Sequence, residues 1–333
     1  MFKIGKGGTK VEFQIKILLI SFILTTILAI GIIPILRKLK IGQKERDDGP
    51  KSHLSKQGTP TMGGLIMIIS IIISSIGAYL YFKNKDAQTA KNIIPILCIS
   101  VGFGIVGLID DFIKLVLKNT EGLKPKYKML GLLVISVIFV LVMINKLGTS
   151  IFIPILKTSF ELPVLFYIPF AICVILGSTN AVNLTDGIDG LSSSVCVIIV
   201  SCLTVMGTMA GVKEITIFGT IVIGAILSFL LFNLYPAKVF MGDTGSLFLG
   251  GVISSLALYL KNPLILVIIA IIPVLETLSV ILQVAYFKKT GNRIFKMAPL
   301  HHHFELSGWS ENKVVSIFSI ITLCACIIGL NLI

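Results

Sequence analysis

The 333-residue sequence predicts an all-α integral membrane protein with about ten transmembrane helices and both termini outside. Three observations carry this. Apolar residues make up 55% of the chain, charged residues only 14%, and mean hydropathy is +0.98; soluble domains carry about a quarter charged residues, and a chain of this size could not cover its surface with so few. Ten apolar stretches are each long enough for a hydrocarbon core of roughly 30 Å, which takes about 20 helical residues. Lys and Arg, finally, concentrate in alternate loops, the pattern that fixes orientation in a bilayer.

The stretches fall near 15–36, 61–82, 93–112, 129–147, 163–183, 190–210, 213–235, 243–260, 263–287 and 314–333. They occupy nearly the whole chain, so residues 1–333 read as a single polytopic membrane domain. Met1 to Lys16 is too polar and basic for a cleavable signal. Ser150–Leu162, outside, reads as a short hairpin. The loops after spans one, three, five, seven and nine hold most of the basic residues, including Arg37, Lys38, Lys40, Lys44, Arg46, Lys51 and Lys56. These loops are therefore expected in the cytoplasm, and only the basic N-terminal tail departs from the bias. At the same side lie Asp110, Asp111, Asp186, Asp189 and Asp243 and all four histidines, His53, His301, His302 and His303. The site is thus expected at the cytoplasmic face.

The net charge of +13, from 29 basic and 16 acidic residues, is read by side of membrane; sparse aromatics and short basic loops argue against nucleic acid as a partner. All six cysteines sit in apolar stretches without a CxxC pair, which suggests neither a disulfide framework nor zinc.

Carboxylates at a membrane are costly and mark function by default. Asp110-Asp111 closes span three after Gly102, Gly104 and Gly107, small residues that permit close helix packing. Two acids at a helix C-terminus oppose the macrodipole and ask for a cation, which Lys114 or a metal could supply. In Asn180-Ala-Val-Asn183-Leu-Thr-Asp186-Gly-Ile-Asp189-Gly190, polar groups recur every third residue, with oxygen donors of the kind Mg²⁺ favours. A plain capped turn would need one such residue, not four. Phe240-Met-Gly242-Asp243-Thr-Gly245-Ser246 resembles a helix start whose free N–H groups could meet phosphate, with Mg²⁺ bridging to Asp243. His301-His302-His303 lies in the loop from about Lys288 to Lys313, without a nearby cysteine, and reads as hydrogen bonding to phosphate or sugar oxygens. Lys56 and Thr61, in the stretch entering span two, could reach a phosphate. His53 reads as structural or interfacial, and Glu276, mid-span, as an intramembrane acid outside the site.

The set TPTMGG (Thr59–Gly64), GLIDDFIK (Gly107–Lys114), NAVNLTDGIDGL (Asn180–Leu191), FMGDTGSLFLGG (Phe240–Gly251) and MAPLHHHFE (Met297–Glu305) resembles the polyprenyl-phosphate N-acetylhexosamine-1-phosphate transferase superfamily. Five motifs in family order are specific together where each alone is weak. TPTMGG and MAPLHHHFE point to the phospho-N-acetylmuramoyl-pentapeptide-transferase branch. The resemblance implies transfer of phospho-MurNAc-pentapeptide from UDP-MurNAc-pentapeptide to undecaprenyl phosphate, with Mg²⁺, giving UMP and the lipid-linked sugar. It also implies a multi-pass place in the bacterial plasma membrane and allows a homodimer. By that resemblance Asp243 holds Mg²⁺, with Asp186, and Asp110 or Asp111 deprotonates or orients the lipid phosphate. His301, His302 and His303 would contact the sugar-phosphate, Lys114 and Lys126 the phosphates, and Phe240 would stack on the uracil. Lys56, Thr61, Asn180, Asn183, Asp189, Asn233 and Gln283 complete the expected substrate contacts. Two other readings compete. A GlcNAc-1-phosphate transferase would differ only in donor. A secondary transporter would place its polar groups at the midplane on paired broken spans, whereas here they gather at one face.

Overall fold

The structure, a computed structural model, describes residues 6–39, 56, 58–115 and 122–333; His53 and most of the basic loop after span one lie outside these residues. The helices are α1 (Lys6–Lys38), α2 (Gly64–Lys83), α3 (Ala87–Leu115), α4 (Pro125–Leu147), α5 (Val164–Thr185), α6 (Leu191–Met209), α7 (Lys213–Asn233), α8 (Gly242–Tyr259), α9 (Leu266–Ile269), α10 (Ile271–Thr290), α11 (Leu300–Glu305) and α12 (Glu311–Asn331). The expected hairpin is present between α4 and α5. Strands β1 (Ser150–Ile153) and β2 (Thr158–Glu161) pair antiparallel with Ser150 opposite Glu161, and Phe152 N–H donates to the Lys261 carbonyl at 2.7 Å.

Among the described residues, nine helices are long and apolar enough to cross a membrane. The tenth expected span is α8, which forms as a helix where the sequence places it but is not one of those nine. Its first turn carries Asp243, Thr244 and Ser246, and every residue from Thr244 to Tyr259 is buried. Packed against α2, α3, α5, α6 and α7, it has no lipid face to keep apolar.

Span nine is corrected. Instead of one helix over 263–287 there is a 3₁₀ turn at Pro263–Ile265, then α9, a break at Ala270 (φ −101°, ψ 33°), and α10. The cause is Pro273, which lacks the N–H that would bond to the Ile269 carbonyl and whose ring would collide with it. The helical path is interrupted there and resumes at Ile271.

The core forms where glycine lets backbones touch α8. A Cβ at Gly64 of α2 would overlap the Gly245 backbone, one at Gly107 of α3 the Asp243 carbonyl, and one at Gly250 the Thr179 backbone of α5. The segment after Lys56 adds an extended pairing. Phe240 N–H donates to the Pro60 carbonyl at 2.8 Å, Gly63 N–H to the Phe240 carbonyl at 2.8 Å, and Gly64 N–H to the Met241 carbonyl at 2.9 Å. Those bonds bring the TPTMGG and FMGDTG motifs side by side.

Candidate active site

Helix α8 starts without a cap of its own, since the residue before it is Met241. The cap comes from another helix. The Asp111 carboxylate, at the end of α3, accepts the Asp243 N–H at 3.2 Å, the Thr244 N–H at 2.9 Å and the Thr244 hydroxyl at 2.6 Å. Three of its acceptor positions are thus taken up by the first turn of α8, and its charge faces the positive end of the helix dipole. The N–H groups expected to stand free for phosphate therefore meet a carboxylate instead.

Capping by Asp111 places Asp243 beside Asp110. Carboxylate oxygens of Asp110, Asp111 and Asp243 all lie within 4.8 Å of one another. Lys114 Nζ bridges Asp110 Oδ2 at 2.7 Å and Asp243 Oδ2 at 2.9 Å, and Lys128 Nζ bonds Asp243 Oδ2 at 2.9 Å. Lys128 also stands 3.5 Å from Asp110 Oδ2, whose other oxygen accepts the Leu123 N–H at 2.7 Å. Asn183 Nδ2 donates to Asp243 Oδ1 at 2.7 Å and to Ser246 Oγ at 2.8 Å. Asp186, just past the end of α5, bonds to none of these cations. Loss of hydration in the cleft, and then the charges of Asp243, Asp111 and Asp189, push its carboxyl up to about 8. Three carboxylates, Asp110, Asp111 and Asp243, thus face two ammonium groups, Lys114 and Lys128.

A second group lies on the neighbouring connections. Lys56 Nζ donates to Asp189 Oδ1 at 2.7 Å and to Glu311 Oε2 at 2.6 Å. Asp189 Oδ2 accepts the Ala237 N–H at 2.9 Å. Burial opposes the Lys56 charge, but the hydrogen bonds to Asp189 and Glu311 outweigh it and hold the ammonium above its usual range. Glu311, at the start of α12, drew no attention in the sequence because an acid in a first helical turn is ordinary.

Residues 300–305, read from sequence as loop, form α11. His301 is wholly buried there, with its backbone N–H donating to Glu276 Oε1 at 3.2 Å. Glu276, the intramembrane acid, thus has His301 as its polar neighbour. His302 pairs with Glu305 at 2.8 Å, and His303 Nδ1 accepts the Lys296 N–H at 3.1 Å.

The remaining expected residues scatter. Lys126 stands exposed over the Tyr127 ring, and it is Lys128 that meets Asp110 and Asp243. Both lie in a run of alternating lysines, and only the helical phase of α4 distinguishes them. Gln283 is taken up by a turn: its Oε1 accepts the Ile294 and Phe295 N–H groups, and its Nε2 donates to the Phe295 carbonyl. Asn233 joins Ser193 Oγ at 2.7 Å to the Val239 carbonyl at 3.0 Å. Asn180 lies one turn before Asn183, bonded to the Leu176 carbonyl at 2.7 Å. Thr61 is buried next to Gly242, whose φ of +73° requires glycine, and Phe240 is half-buried in the same pairing.

The sequence itself is similar to known proteins. A family model described as Glycosyl transferase family 4 matches residues 93–261, just over half of the chain. The chain is 53% identical over 312 residues, 94% of each protein, to the phospho-N-acetylmuramoyl-pentapeptide-transferase of Clostridium perfringens (strain SM101 / Type A). Proteins of the same name from Clostridium botulinum (strain Eklund 17B / Type B) and Halalkalibacterium halodurans are each 48% identical, the first over 94% of both chains, the second over 90% of this chain and 91% of the relative. The chain belongs to the phospho-N-acetylmuramoyl-pentapeptide-transferase family. With nine helices long and apolar enough to cross a membrane among its described residues, the chain is a multi-pass membrane protein. Neither the transporter reading nor the GlcNAc-1-phosphate alternative is favoured by these relatives.

Proposed function

We propose that this transferase moves phospho-MurNAc-pentapeptide from UDP-MurNAc-pentapeptide to undecaprenyl phosphate at the cytoplasmic face of the bacterial plasma membrane. An oxygen of the lipid phosphate attacks the sugar-bearing phosphorus, the bond from that phosphorus to the UMP oxygen breaks, and UMP leaves. The observation that carries the assignment of roles is the cap: Asp111 is committed to α8, so Asp110 is the carboxylate left to orient the lipid phosphate or take its remaining proton. Lys114 and Lys128 then shift from Asp110 and Asp243 toward the phosphates as these enter, replacing one set of anionic partners by another.

The oxygen donors suit a hard divalent cation, and the excess of carboxylates over ammonium groups favours one. Asp243 would hold Mg²⁺, with Asp186 the next oxygen donor along the cleft. Mg²⁺ when bound would neutralise diphosphate charge and favour UMP as a leaving group. Asn183 orients Asp243 through the 2.7 Å bond. Lys56 and Asp189, with Phe240 beyond the pairing at Pro60, form the wall that the uridine part of the donor would meet. The lipid has a path as well. Met129 and Leu133 of α4, Ile172 and Leu176 of α5 and Thr277 of α10 line an apolar groove of about 590 Å³, whose far end is Asn180, one turn from Asn183. A polyprenyl chain lying there would bring its phosphate toward Asp243.

An acceptor that is already an anionic phosphate needs no stronger nucleophile, so a single displacement accounts for the reaction better than an aspartyl-phosphate intermediate. UMP release in detergent, with UDP-MurNAc-pentapeptide and undecaprenyl phosphate present, tests the overall reaction; equal release from UDP-GlcNAc would overturn the donor assignment. Incubation with labelled UMP and donor, rigorously free of lipid phosphate, tests the single step. Label entering the nucleotide sugar without acceptor would establish the covalent route instead.

A further inference from the structure

Glu276 is a carboxylate with no exposure in the second turn of α10, a placement that is costly unless the charge is used. Among the described residues, seven buried polar side-chain atoms have no hydrogen-bond partner, and three of these belong to one pair: Glu276 Oε2 and both ring nitrogens of His301. Glu276 Oε1 accepts the His301 backbone N–H and stands 3.2 Å from Nδ1, somewhat off the hydrogen-bonding line. A carboxylate so near Nδ1 favours the proton on that nitrogen and leaves Nε2 as the bare edge. Nε2 faces Gly187, where any Cβ would run into the ring. Gly187 directly follows Asp186 and lies two residues before Asp189.

We propose that Glu276 is a positioning residue for the donor: it sets the ring of His301, and the ring holds the loop of Asp186–Asp189 from behind. This rests on the reading above that the loop meets the nucleotide sugar. It turns three separate features into one device, namely an intramembrane acid, a histidine too buried to touch substrate, and a glycine with no room for a side chain. His301 thereby differs from His302 and His303, which lie nearer the surface on the same short helix.

The test is steady-state kinetics of full-length E276Q and G187A, with UDP-MurNAc-pentapeptide and undecaprenyl phosphate varied in turn. Removing a partner that orients a functional group typically costs 10–100-fold, so each variant should raise the donor KM about tenfold and leave the acceptor KM unchanged. The double variant E276Q/G187A should be no worse than either single change. A fall in kcat with both KM values unchanged would mean a mere brace, and additive single effects would mean two unrelated sites; either overturns the proposal. Should E276Q fail to fold, G187A and the conservative H301Q carry the same comparison. The chain has only four histidines, so ¹⁵N-histidine labelling gives a readout independent of turnover. One resonance pair, lost in H301Q, should report the Nδ1–H tautomer in the parent protein and change in E276Q. An unchanged spectrum overturns the pair, whereas wild-type protein that shows the tautomer but no turnover of this donor overturns only the functional reading.

Discussion

Two clusters of carboxylates and lysines, one joining Lys56 to Asp189 and Glu311 and the other joining Lys114 and Lys128 to Asp110 and Asp243, use charge differently. In one, Lys56 is clasped by Asp189 and Glu311 with side-chain exposures of 10%, 3% and 7%. In the other, Lys114 and Lys128 meet Asp110 and Asp243, but Lys114 keeps 38% of its side chain exposed and Asp243 17%. A closed cluster fastens segments to each other, because every charge already has its partner inside the fold and exchange would strand one of them. A half-open cluster has partners that can be traded for an incoming phosphate or cation at little desolvation cost. Like composition thus gives a staple in one place and a reaction site in the other, and exposure decides which.

The comparison can be broken most severely at Lys56. Lys56→Met strands two buried carboxylates and should destabilise the protein by about 3–5 kcal/mol, read as a lowered unfolding temperature in detergent; Glu311→Gln leaves a one-to-one pair and should cost far less. Equal losses for the two would mean that the triad does not act as a unit. At the open cluster the effect should be kinetic instead. Asp243→Asn keeps size and hydrogen bonding but removes charge, and should slow UMP release about 10²-fold or more, roughly 2.7 kcal/mol of barrier, at near-parental stability. Near-native turnover at saturating Mg²⁺ would remove Asp243 from the site. Asp111→Asn tests the cap and should fall between the two behaviours, with about 1–2 kcal/mol lost in stability and a loss of rate through a displaced Asp243. The smallest effect belongs to Lys126→Ala, within about 0.5 kcal/mol of the parent and with unaltered turnover, whereas Lys128→Ala should lose rate. A reversed order for the two lysines would mean that α4 sits in another helical phase.

Much of this was legible in the sequence. Apolar runs and the Lys/Arg bias locate the spans, and the acids that converge on α8 are those whose cost in a membrane marks them in advance. Three matters were not legible, each for a physical reason. Lys128 and Lys126 differ only in helical phase, which depends on where α4 begins, and Pro125 sets that start. Glu276 and His301 are 25 residues apart, and they meet only through the packing of α11 against α10. Asp110 and Asp111 are identical in chemistry, and only the approach of α8, permitted by the bare backbone at Gly107, commits one of them to a cap.

The enclosure of α8 has a consequence for how the protein is made. A segment whose first turn is Gly-Asp-Thr-Gly-Ser gains little from entering lipid by itself, and no lipid-facing stripe draws it in. The surfaces that receive it, on α2, α3, α5, α6 and α7, all precede it along the chain. We expect α8 to enter after those helices, with the Asp111 carboxylate receiving its first amides. Nascent chains that end just after Tyr259 should insert α8 when Gly64 and Gly107 are intact. Chains bearing alanine at those two positions should leave it at the surface, accessible to a membrane-impermeant thiol reagent through a cysteine placed in its middle.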